Sequence, residues 1–278
     1  MTRVGIVGAT GVVGQQFVVA LQSHPWFEVT WLAASERSAN QTYRDALRDK
    51  KTGARRWYCD EEPTSDVLDL PVELVGSFDP SRIDLVFTAI ESDAAREIEP
   101  AIARTTPVIS TASAFRYEAD VPLIIPGLNS CHGRLIRHQQ ERRGWRGFIA
   151  PNPNCTTVGL AITLRPLYDR FGIQAVLTTS LQSMSGAGRA PGVQGLDIID
   201  NVIPYIPGEE EKVQIETRKI LGTLEGTTIS PATFGISCTC TRVNVSDGHT
   251  ESVFVSLGRP TSVDEVKQAF SEFLPDFA

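Results

Sequence analysis

One cysteine stands where a thiol could act as a nucleophile. Cys155 follows the segment PNPN at residues 151–154, and the apolar periodicity after it predicts a helix over residues 156–171. The free amides and the dipole at a helix N-terminus lower the pKa of a thiol placed there and can hold an oxyanion. The position by itself fits a small buried cysteine equally well. Covalent acyl chemistry is therefore one of two interpretations of Cys155.

A thiol nucleophile needs a proton-transfer partner, and histidine suits this because its pKa lies near neutral. The chain has four histidines, of which His249 directly follows Asp247-Gly248. That dipeptide predicts a two-residue hairpin between the β-prone runs 236–245 and 252–257. Strand alternation in this hairpin would put His249 on one face with Arg242, Asn244 and Ser246. By itself, His249 is also typical of an exposed residue at the edge of a turn.

A glycine pattern near the start of the chain suits a dinucleotide. Gly8, Gly11 and Gly14 come directly after the apolar run 3–7 and at the start of a predicted helix over 12–21. Such a turn lets the backbone approach a pyrophosphate while the helix N-terminus faces its charge. The spacing differs from G-x-G-x-x-G, so a glycine-rich turn without a ligand stays open.

The residues after the second strand favour a particular dinucleotide. NAD enzymes usually carry an acid there for the ribose hydroxyl, but this run ends at Ala34 and continues with Ser35, Glu36, Arg37 and Ser38. A hydroxyl and a guanidinium suit a 2′-phosphate better than a carboxylate does. We therefore expect NADP if Glu36 points to solvent.

Hydrophobic patterning predicts two domains. In the first half, strand-length runs alternate with helices, which implies βαβ units and a Rossmann-type, doubly wound parallel sheet over residues 1–150. Residues 151–278 combine the helix after Cys155 with the long β-prone runs 176–182, 236–245 and 252–257. We expect an α+β domain there, built on a largely antiparallel sheet. Ser262 and Glu265 form a capping box that starts a last helix.

Composition excludes several function classes. The 278 residues carry a formal net charge of -7, which argues against nucleic-acid binding. No apolar run reaches the length of a membrane span, and no secretory signal begins the chain. Five cysteines are an odd number, so we expect free thiols and a cytoplasmic protein without nucleic-acid or membrane partners.

Several longer motifs occur together with Asn154-Cys155-Thr156 and the GATGVVG start. They are STASAFR at 110–116, SLQSMSGAG at 180–188, NVIPYIPGEEEK at 201–212 and CTRVNVSDGH at 240–249. With them, essentially the whole chain resembles aspartate-β-semialdehyde dehydrogenase, in its archaeal and fungal branch. The resemblance implies an NADPH-dependent reduction of L-aspartyl 4-phosphate to L-aspartate 4-semialdehyde through a cysteine thioester, in the biosynthesis of lysine, threonine and methionine.

The resemblance also implies a role for each motif residue. Cys155 matches the nucleophile, His249 the acid/base, and Gln182 a glutamine near the nucleophile. The residues that match contacts to the substrate are Arg116, Asn154, Glu209, Lys212 and Arg242. Arg242 would hold the carboxylate, Glu209 the α-ammonium, and Lys212 with Arg116 the phosphate. Without the family, the acidic run at 209–211 would fit a solvated first helical turn, and Arg116 an ordinary surface arginine.

The cofactor contacts follow from the glycine turn, the residues after the second strand and a loop that the resemblance places against the nicotinamide. They are Gly8, Thr10, Gly11, Val12, Val13, Ser35, Arg37, Ser38, Ser185, Gly186 and Ala187. Cys238 and Cys240 lie on one predicted strand without a histidine cluster, which is a weak zinc signal. We expect no metal.

The chain departs from the family in length. Family members continue beyond this point, so we expect the substrate domain to be C-terminally incomplete. Two alternatives remain open: a CoA-acylating enzyme similar to malonyl-CoA reductase, and an inactive truncated NADP-binding homologue. The CoA-acylating alternative would not need the ammonium contact of Glu209. The family implies self-association as a homodimer or homotetramer.

Overall fold

The computed structural model describes residues 1–187 and 195–276, and it divides the chain into two compact units. The first unit comprises Met1–Pro122 and Leu135–Asn152, and the second comprises Leu123–Arg134 and the chain from Pro153 onward. The predicted domain boundary after residue 150 is close to the point between Asn152 and Pro153 where the chain passes into the second unit for the last time. The excursion of Leu123–Arg134 into the second unit was not predicted, because no shift in composition marks it.

The first unit is built on one sheet of seven strands. Its strands are β1 (Thr2–Val7), β2 (Phe27–Ala34), β3 (Gln41–Thr42), β4 (Pro71–Leu74), β5 (Leu85–Thr88), β6 (Val108–Ser110) and β7 (Ile149–Pro151). Its helices are α1 (Val12–Leu21), α2 (Tyr43–Ala46), α3 (Ser65–Leu68), α4 (Ser92–Ala103) and α5 (Leu135–Arg143). The strand order is β3-β4-β2-β1-β5-β6-β7, and every pair is parallel except β3 with β4. The predicted doubly wound parallel sheet is confirmed.

The centre of this sheet follows from its composition. The last four residues of β1 and of β2 are fully or almost fully buried, as expected for strands with helices on both faces. The parallel register of β1 between β2 and β5 brings the carboxyl ends of these strands to one edge of the sheet. A ligand of a doubly wound sheet binds at this edge.

The second unit is built on a smaller mixed sheet. Its main elements are α6 (Cys155–Phe171), β8 (Ile173–Gln182), α7 (Gly195–Ile198), β9 (Val202–Ile203), α8 (Glu209–Ile220), β10 (Thr223–Glu225), β11 (Thr228–Ser230), β12 (Gly235–Val243), β13 (Thr250–Leu257) and α9 (Val263–Ser271). The four-stranded sheet has the order β13-β8-β12-β9, while β10 and β11 form a separate hairpin. The predicted capping box of Ser262 and Glu265 is present at the start of α9.

The predicted hairpin at Asp247-Gly248 is wrong. β12 and β13 do not pair with each other, because β8 lies between them, parallel to β12 and antiparallel to β13. The sheet is therefore mixed, with β8 and β12 parallel and the other two strand pairs antiparallel. Gly248 does adopt a positive φ of 83°. Such a dipeptide favours a reversal of the chain but does not decide which strand becomes the neighbour.

The two faces of this second sheet differ. One face packs against α6 and α8 around a core that includes Leu160, Leu164 and Val213. On β8, alternate side chains point the other way, and Leu177 is 55% exposed. Phe254 on the neighbouring β13 is 66% exposed and lies opposite Leu177 in the register. The described part of the second unit thus presents an apolar sheet face. Across residues 1–187 and 195–276, no helix has both the length and the apolarity to cross a membrane.

Candidate active site

Cys155 is the first residue of α6, as the sequence predicts to within one residue. The side chain of Asn154 caps the helix by accepting hydrogen bonds from the amides of Thr156 and Thr157, at 3.0 and 3.3 Å. Asn154 therefore fixes the turn from which the thiol projects. Cys155 itself is exposed, which rules out the alternative of a small buried cysteine.

His249 lies in contact with the thiol. Its Nε2 is 3.0 Å from the Sγ of Cys155, and its Nδ1 accepts a hydrogen bond from the backbone amide of Ser183 at 3.1 Å. The strand register explains this meeting. Thr250 pairs with Leu181, so one further step along the antiparallel register brings His249 to the end of β8, next to Ser183. The sequence missed Ser183, because the hairpin it predicted would have placed His249 beside Ser246.

The thiol has a pKa that differs from the expectation. Protein atoms surround the Sγ although solvent reaches it, and this burial raises the pKa of Cys155, with a further contribution from the charge of Glu209. The amides at the start of α6 and Arg242 act in the opposite direction, but they do not prevail. The expected lowering of the pKa of Cys155 is therefore wrong for the free protein, because burial and Glu209 outweigh the effect of the helix terminus. Burial and Arg242 lower the pKa of His249.

Gln182 acts on the nucleophile helix through a neighbour. It is buried at the end of β8, and its Nε2 donates to the Oγ1 of Thr156 at 2.8 Å. The sequence predicted a glutamine near the nucleophile. In the structure its side chain holds the residue that follows Cys155, so it supports the first turn of α6.

Arg242 offers an unused donor. It is 5% exposed on β12, and its Nη1 donates to the backbone oxygen of Ser183 at 2.5 Å. Its Nε is buried and has no hydrogen-bond partner among the described residues. Gly186 allows the close approach, since a Cβ there would lie 3.2 Å from Nη1 of Arg242 and 3.2 Å from Cε1 of His249. A buried guanidinium with a spare N–H suits a carboxylate.

Glu209 and Lys212 form one cluster with Asn154. Lys212 Nζ donates to Oε1 of Glu209 at 2.7 Å, and Asn154 Nδ2 donates to Oε2 at 2.7 Å. Burial opposes the charge of Glu209, but these two donors together hold its pKa below the ordinary value. The alternative of a solvated first turn describes the exposed Glu211 and not Glu209, which is half-buried. The predicted ammonium and phosphate contacts are thus neighbours in the structure.

A second carboxylate supports the nucleophile loop. Glu216 is fully buried on α8, and its Oε2 accepts the backbone N–H of Asn154 at 2.6 Å. No motif in the sequence marked Glu216 as a site residue. Its position seven residues after Glu209, on the same side of a helix, is the only signal that pointed to it.

Arg116 belongs to the first unit. It is 7% exposed, so it is not an ordinary surface arginine, and its Nη2 donates to the backbone oxygen of Thr111 at 3.0 Å. The second unit holds the other predicted contacts to the substrate. The role of Arg116 stays a prediction.

The glycine turn fits a pyrophosphate. Gly8 has a φ of 82°, and a Cβ there would lie 2.2 Å from the oxygen of Ala89. A Cβ on Gly14 would lie 2.2 Å from the oxygen of Gly8, so both positions require glycine. Gly11 is the N-cap of α1, which has neither a side-chain cap nor an acidic residue in its first turn. The amides around Thr10, Val12 and Val13 are therefore open to an anion.

The residues after β2 fit a phosphate as well. Ser35, Glu36 and Arg37 are exposed, and Ser38 is half-buried. The amides of Ser38 and Ala39 both donate to the oxygen of Ser35, which forms a tight turn at the end of β2. Arg37 makes no ion pair within the described ranges 1–187 and 195–276. Its guanidinium is therefore available to a ligand.

The predicted nicotinamide loop lies beside the thiol. Ser185, Gly186 and Ala187 form a short turn whose Ser185 amide donates to the oxygen of Ser246. Residue 188 of the same motif lies outside the described residues. Ser185 and Gly186 border a cavity of about 430 Å³ that also reaches Cys155 and His249. The described residues contain no group of three or more His, Cys, Asp or Glu suited to a metal.

Fold and site together define a class of protein. A dinucleotide-binding sheet, a cysteine at a helix N-terminus and a histidine in contact with it are the parts of a nicotinamide-dependent aldehyde dehydrogenase that works through a thioester. Residues 3–135 match the family described as semialdehyde dehydrogenase, NAD binding domain. Residues 164–276 match semialdehyde dehydrogenase, dimerisation domain.

Known proteins narrow the class further. The aspartate-semialdehyde dehydrogenase of Methanothermobacter thermautotrophicus is 45% identical over 98% of this chain and 76% of its own length. The aspartate-semialdehyde dehydrogenase of Saccharomyces cerevisiae is 41% identical, again over 98% of this chain and 76% of its own length. A crystal structure of the Candida albicans enzyme with NADP has a TM-score of 0.85 at 37% identity, covering 98% of this chain and 77% of that one. The chain belongs to the aspartate-semialdehyde dehydrogenase family, and the predicted family, fold class, type of enzyme and type of cofactor are confirmed.

Proposed function

We propose that this chain catalyses the NADPH-dependent reduction of L-aspartyl 4-phosphate to L-aspartate 4-semialdehyde, with release of phosphate. The contact of 3.0 Å between His249 Nε2 and Cys155 Sγ carries the proposal. It joins a nucleophile to a proton-transfer group at the N-terminus of a helix that Asn154 caps. The relatives that support the substrate are named for aspartate semialdehyde.

The covalent step takes place at Cys155. Its sulfur attacks the acyl carbon of the substrate, a carbon–sulfur bond forms, and the carbon–oxygen bond to phosphate breaks. The amides at the start of α6 face the oxyanion that develops on the acyl carbon. When bound, NADPH supplies the hydride that converts the thioester to the aldehyde and restores the thiolate. His249 holds or returns the proton at the sulfur.

The proposed substrate contacts pair each charged group of the substrate with a side chain of opposite charge. The spare N–H of Arg242 meets the α-carboxylate, because a buried guanidinium gains most from an anionic partner. Glu209 meets the α-ammonium, and Lys212 then turns from Glu209 to the phosphate. Arg116 is the second proposed phosphate contact. Gln182 keeps the first turn of α6 in place through Thr156.

The proposed cofactor contacts come from three stretches of sequence. In the first unit, the turn from Gly8 to Val13 holds the pyrophosphate, and Ser35, Arg37 and Ser38 hold the 2′-phosphate of the adenosine. In the second unit, the turn from Ser185 to Ala187 lies against the nicotinamide. The open first turn of α1 supports the pyrophosphate contact.

Self-association is part of the proposal. The second unit matches a dimerisation domain, and its sheet presents an apolar face that includes Leu177, Leu181 and Phe254. A second copy of the chain covers this face, because apolar patches of this kind mark interfaces. We propose a homodimer or homotetramer, acting in the cytoplasm.

A coupled assay tests the function. Purified protein is mixed with aspartate semialdehyde, NADP and phosphate, and the absorbance of the reduced cofactor is followed. We expect reduction that needs phosphate and disappears in Cys155→Ala. Turnover that needs CoA in place of phosphate would instead favour the CoA-acylating alternative. Binding of NADPH without any turnover would favour an inactive homologue.

A further inference from the structure

One carboxyl group at the active site has no role so far. Glu251 borders the cavity that opens on Cys155, together with Gly159, Ser183, Ser185 and His249. Within residues 1–187 and 195–276, the carboxyl group of Glu251 makes no hydrogen bond or ion pair. A half-buried acid without a partner, beside a nucleophile, is a candidate for a ligand contact.

The backbone explains why Glu251 faces the nucleophile. It lies on β13 two residues after His249, so strand alternation sends both side chains to the same side. Its carboxyl group lies over α6, since a Cβ on Gly159 would be 3.4 Å from Oε1 of Glu251. Gly159 is four residues after Cys155, which places it one helical turn below the thiol, roughly 5–6 Å away.

We propose that Glu251 binds the carboxamide group of the nicotinamide ring and so fixes the orientation of that ring beside Cys155. The inference rests on the proposed function, because it takes the hydride donor to be NADPH. It adds a cofactor contact that the motif residues do not include.

The chemistry of hydride transfer limits where the carboxamide can lie. The C4 atom of the ring must come to about 3–3.5 Å from the carbon that is bonded to Cys155 Sγ. The carboxamide is attached to C3, the ring carbon next to C4. It therefore also lies close to the carbon that is bonded to Cys155 Sγ. The cavity that reaches Cys155 and His249 has a volume of about 430 Å³, which is ample for a nicotinamide. The side chains that border this cavity are therefore within reach of the carboxamide.

The other polar side chains of the wall are already engaged. His249 contacts Cys155 through Nε2 and Ser183 through Nδ1. The hydroxyl groups of Ser183 and Ser185 lie 3.0 Å apart and bond to each other. Among the described residues that border the cavity, Glu251 is thus the polar side chain that makes no hydrogen bond.

The two groups are complementary. A carboxamide presents an N–H donor and an oxygen acceptor side by side, and a protonated carboxyl group presents an O–H donor and an oxygen acceptor in the same way. Burial raises the pKa of Glu251 to about 7. Both the acid and the carboxylate are therefore present near neutral pH. The acid makes two hydrogen bonds with the carboxamide, and the carboxylate still accepts one.

Binding of NADPH tests the proposal without turnover. We would measure the Kd from the fluorescence of the reduced cofactor for the wild-type chain, Glu251→Ala and Glu251→Gln. Alanine should weaken binding about tenfold, because both hydrogen bonds are lost. Glutamine should stay within about twofold of the wild type, because an amide also pairs with a carboxamide. Glu225→Gln, an exposed carboxyl group on β10, is the matched control and should bind as the wild type does.

An analogue of the cofactor separates this contact from a general loss of structure. In the 3-acetylpyridine analogue a methyl group replaces the NH₂ of the carboxamide. The wild-type chain should bind the reduced analogue severalfold more weakly than NADPH. Glu251→Ala should bind the two equally, since the contact to the NH₂ group is already gone. If alanine disturbs folding, Glu251→Asp, which withdraws the carboxyl group by one methylene, gives the same comparison.

The outcomes are distinct. Equal Kd values for NADPH in the wild type and Glu251→Ala, or the same preference for NADPH over the analogue in both, would overturn the inference and leave the proposed function intact. A raised KM for aspartate semialdehyde with an unchanged Kd for NADPH would also overturn it, because Glu251 would then be a substrate contact. No binding of NADPH to the wild-type chain would contradict the proposed function, and the inference with it.

Discussion

Asn154 Nδ2 donates to Oε2 of Glu209 at 2.7 Å, so the residue before the nucleophile is tied to the first turn of α8. The other oxygen of Glu209 accepts Lys212 Nζ at 2.7 Å. A substrate ammonium group that reaches Glu209 must share this carboxylate with one or both donors. Under the proposed ammonium contact, substrate binding at Glu209 would act on Asn154, the cap of the nucleophile helix.

Removing the charge of Glu209 tests the ammonium contact. Glu209→Gln should raise the KM for aspartate semialdehyde at least about tenfold, because an ammonium group loses its charged partner in a half-buried site. Steady-state kinetics in the oxidative direction measure the effect. Glu211→Gln, on an exposed residue of the same turn, is the control and should change KM little. An unchanged KM in Glu209→Gln would count against the amino-acid substrate.

The reactivity of Cys155 should depend on the charges around it. Burial and Glu209 raise the pKa of the thiol, so its alkylation by iodoacetamide should still be accelerating above neutral pH. Glu209→Gln removes a negative charge that disfavours the thiolate. The pKa should then fall, and alkylation at pH 7 should become faster.

The opposite sign is expected for Arg242→Gln. Arg242 lowers the pKa of Cys155, so its loss should raise that pKa and slow alkylation at pH 7. The two variants are compared by the rate of thiol modification across a pH series, with Cys155→Ala as the blank. Shifts of the same sign in both variants would contradict this account of the thiol's electrostatics.

The proposed contact of Arg37 with the 2′-phosphate predicts that this residue discriminates NADP from NAD. Its exposed guanidinium lies in the turn after β2, where it is suited to a 2′-phosphate. Arg37→Ala should raise the KM for NADP about tenfold and leave the KM for NAD nearly unchanged. An equal loss for both cofactors would mean that Arg37 contacts a group they share, or that the turn has changed.

The apolar sheet face of the second unit predicts self-association. Phe254 is 66% exposed and lies opposite Leu177 across β8 and β13. Phe254→Glu would bury a charge in an apolar interface, so it should shift the protein to the monomer in sedimentation analysis. Glu225→Gln, on the separate hairpin, should leave the mass unchanged. A Phe254→Glu protein of wild-type mass would show that the interface lies elsewhere.

In the first unit, β1, α1 and the end of β2 could be predicted from the local sequence, whereas β3, β4, β7, α2, α3 and α5 were not predicted. Its buried parallel strands are near-continuous apolar runs, and Gly8, Gly11 and Gly14 mark the turn between β1 and α1. These elements depend on residues that are close in sequence, so the sequence alone indicates them. The crossing of Leu123–Arg134 into the second unit is a choice between two packing partners, and no single residue encodes it.

The second unit shows where local signals stop. Asp247-Gly248 does turn the chain, but the insertion of β8 between β12 and β13 depends on long-range packing. For this reason the sequence assigned the candidate His249 the wrong neighbour, Ser246 in place of Ser183. The raised pKa of Cys155 has the same origin, because burial by distant residues outweighs the helix terminus.

The covalent intermediate is the central claim, and one measurement addresses it directly. The wild-type chain is mixed with aspartate semialdehyde and NADP in the absence of phosphate, and both the reduced cofactor and the intact mass of the protein are recorded. We predict about one equivalent of reduced cofactor per site and a matching acyl adduct on the peptide that contains Cys155, which phosphate then removes. Continued turnover without phosphate, or an adduct that persists in Cys155→Ala, would contradict the account.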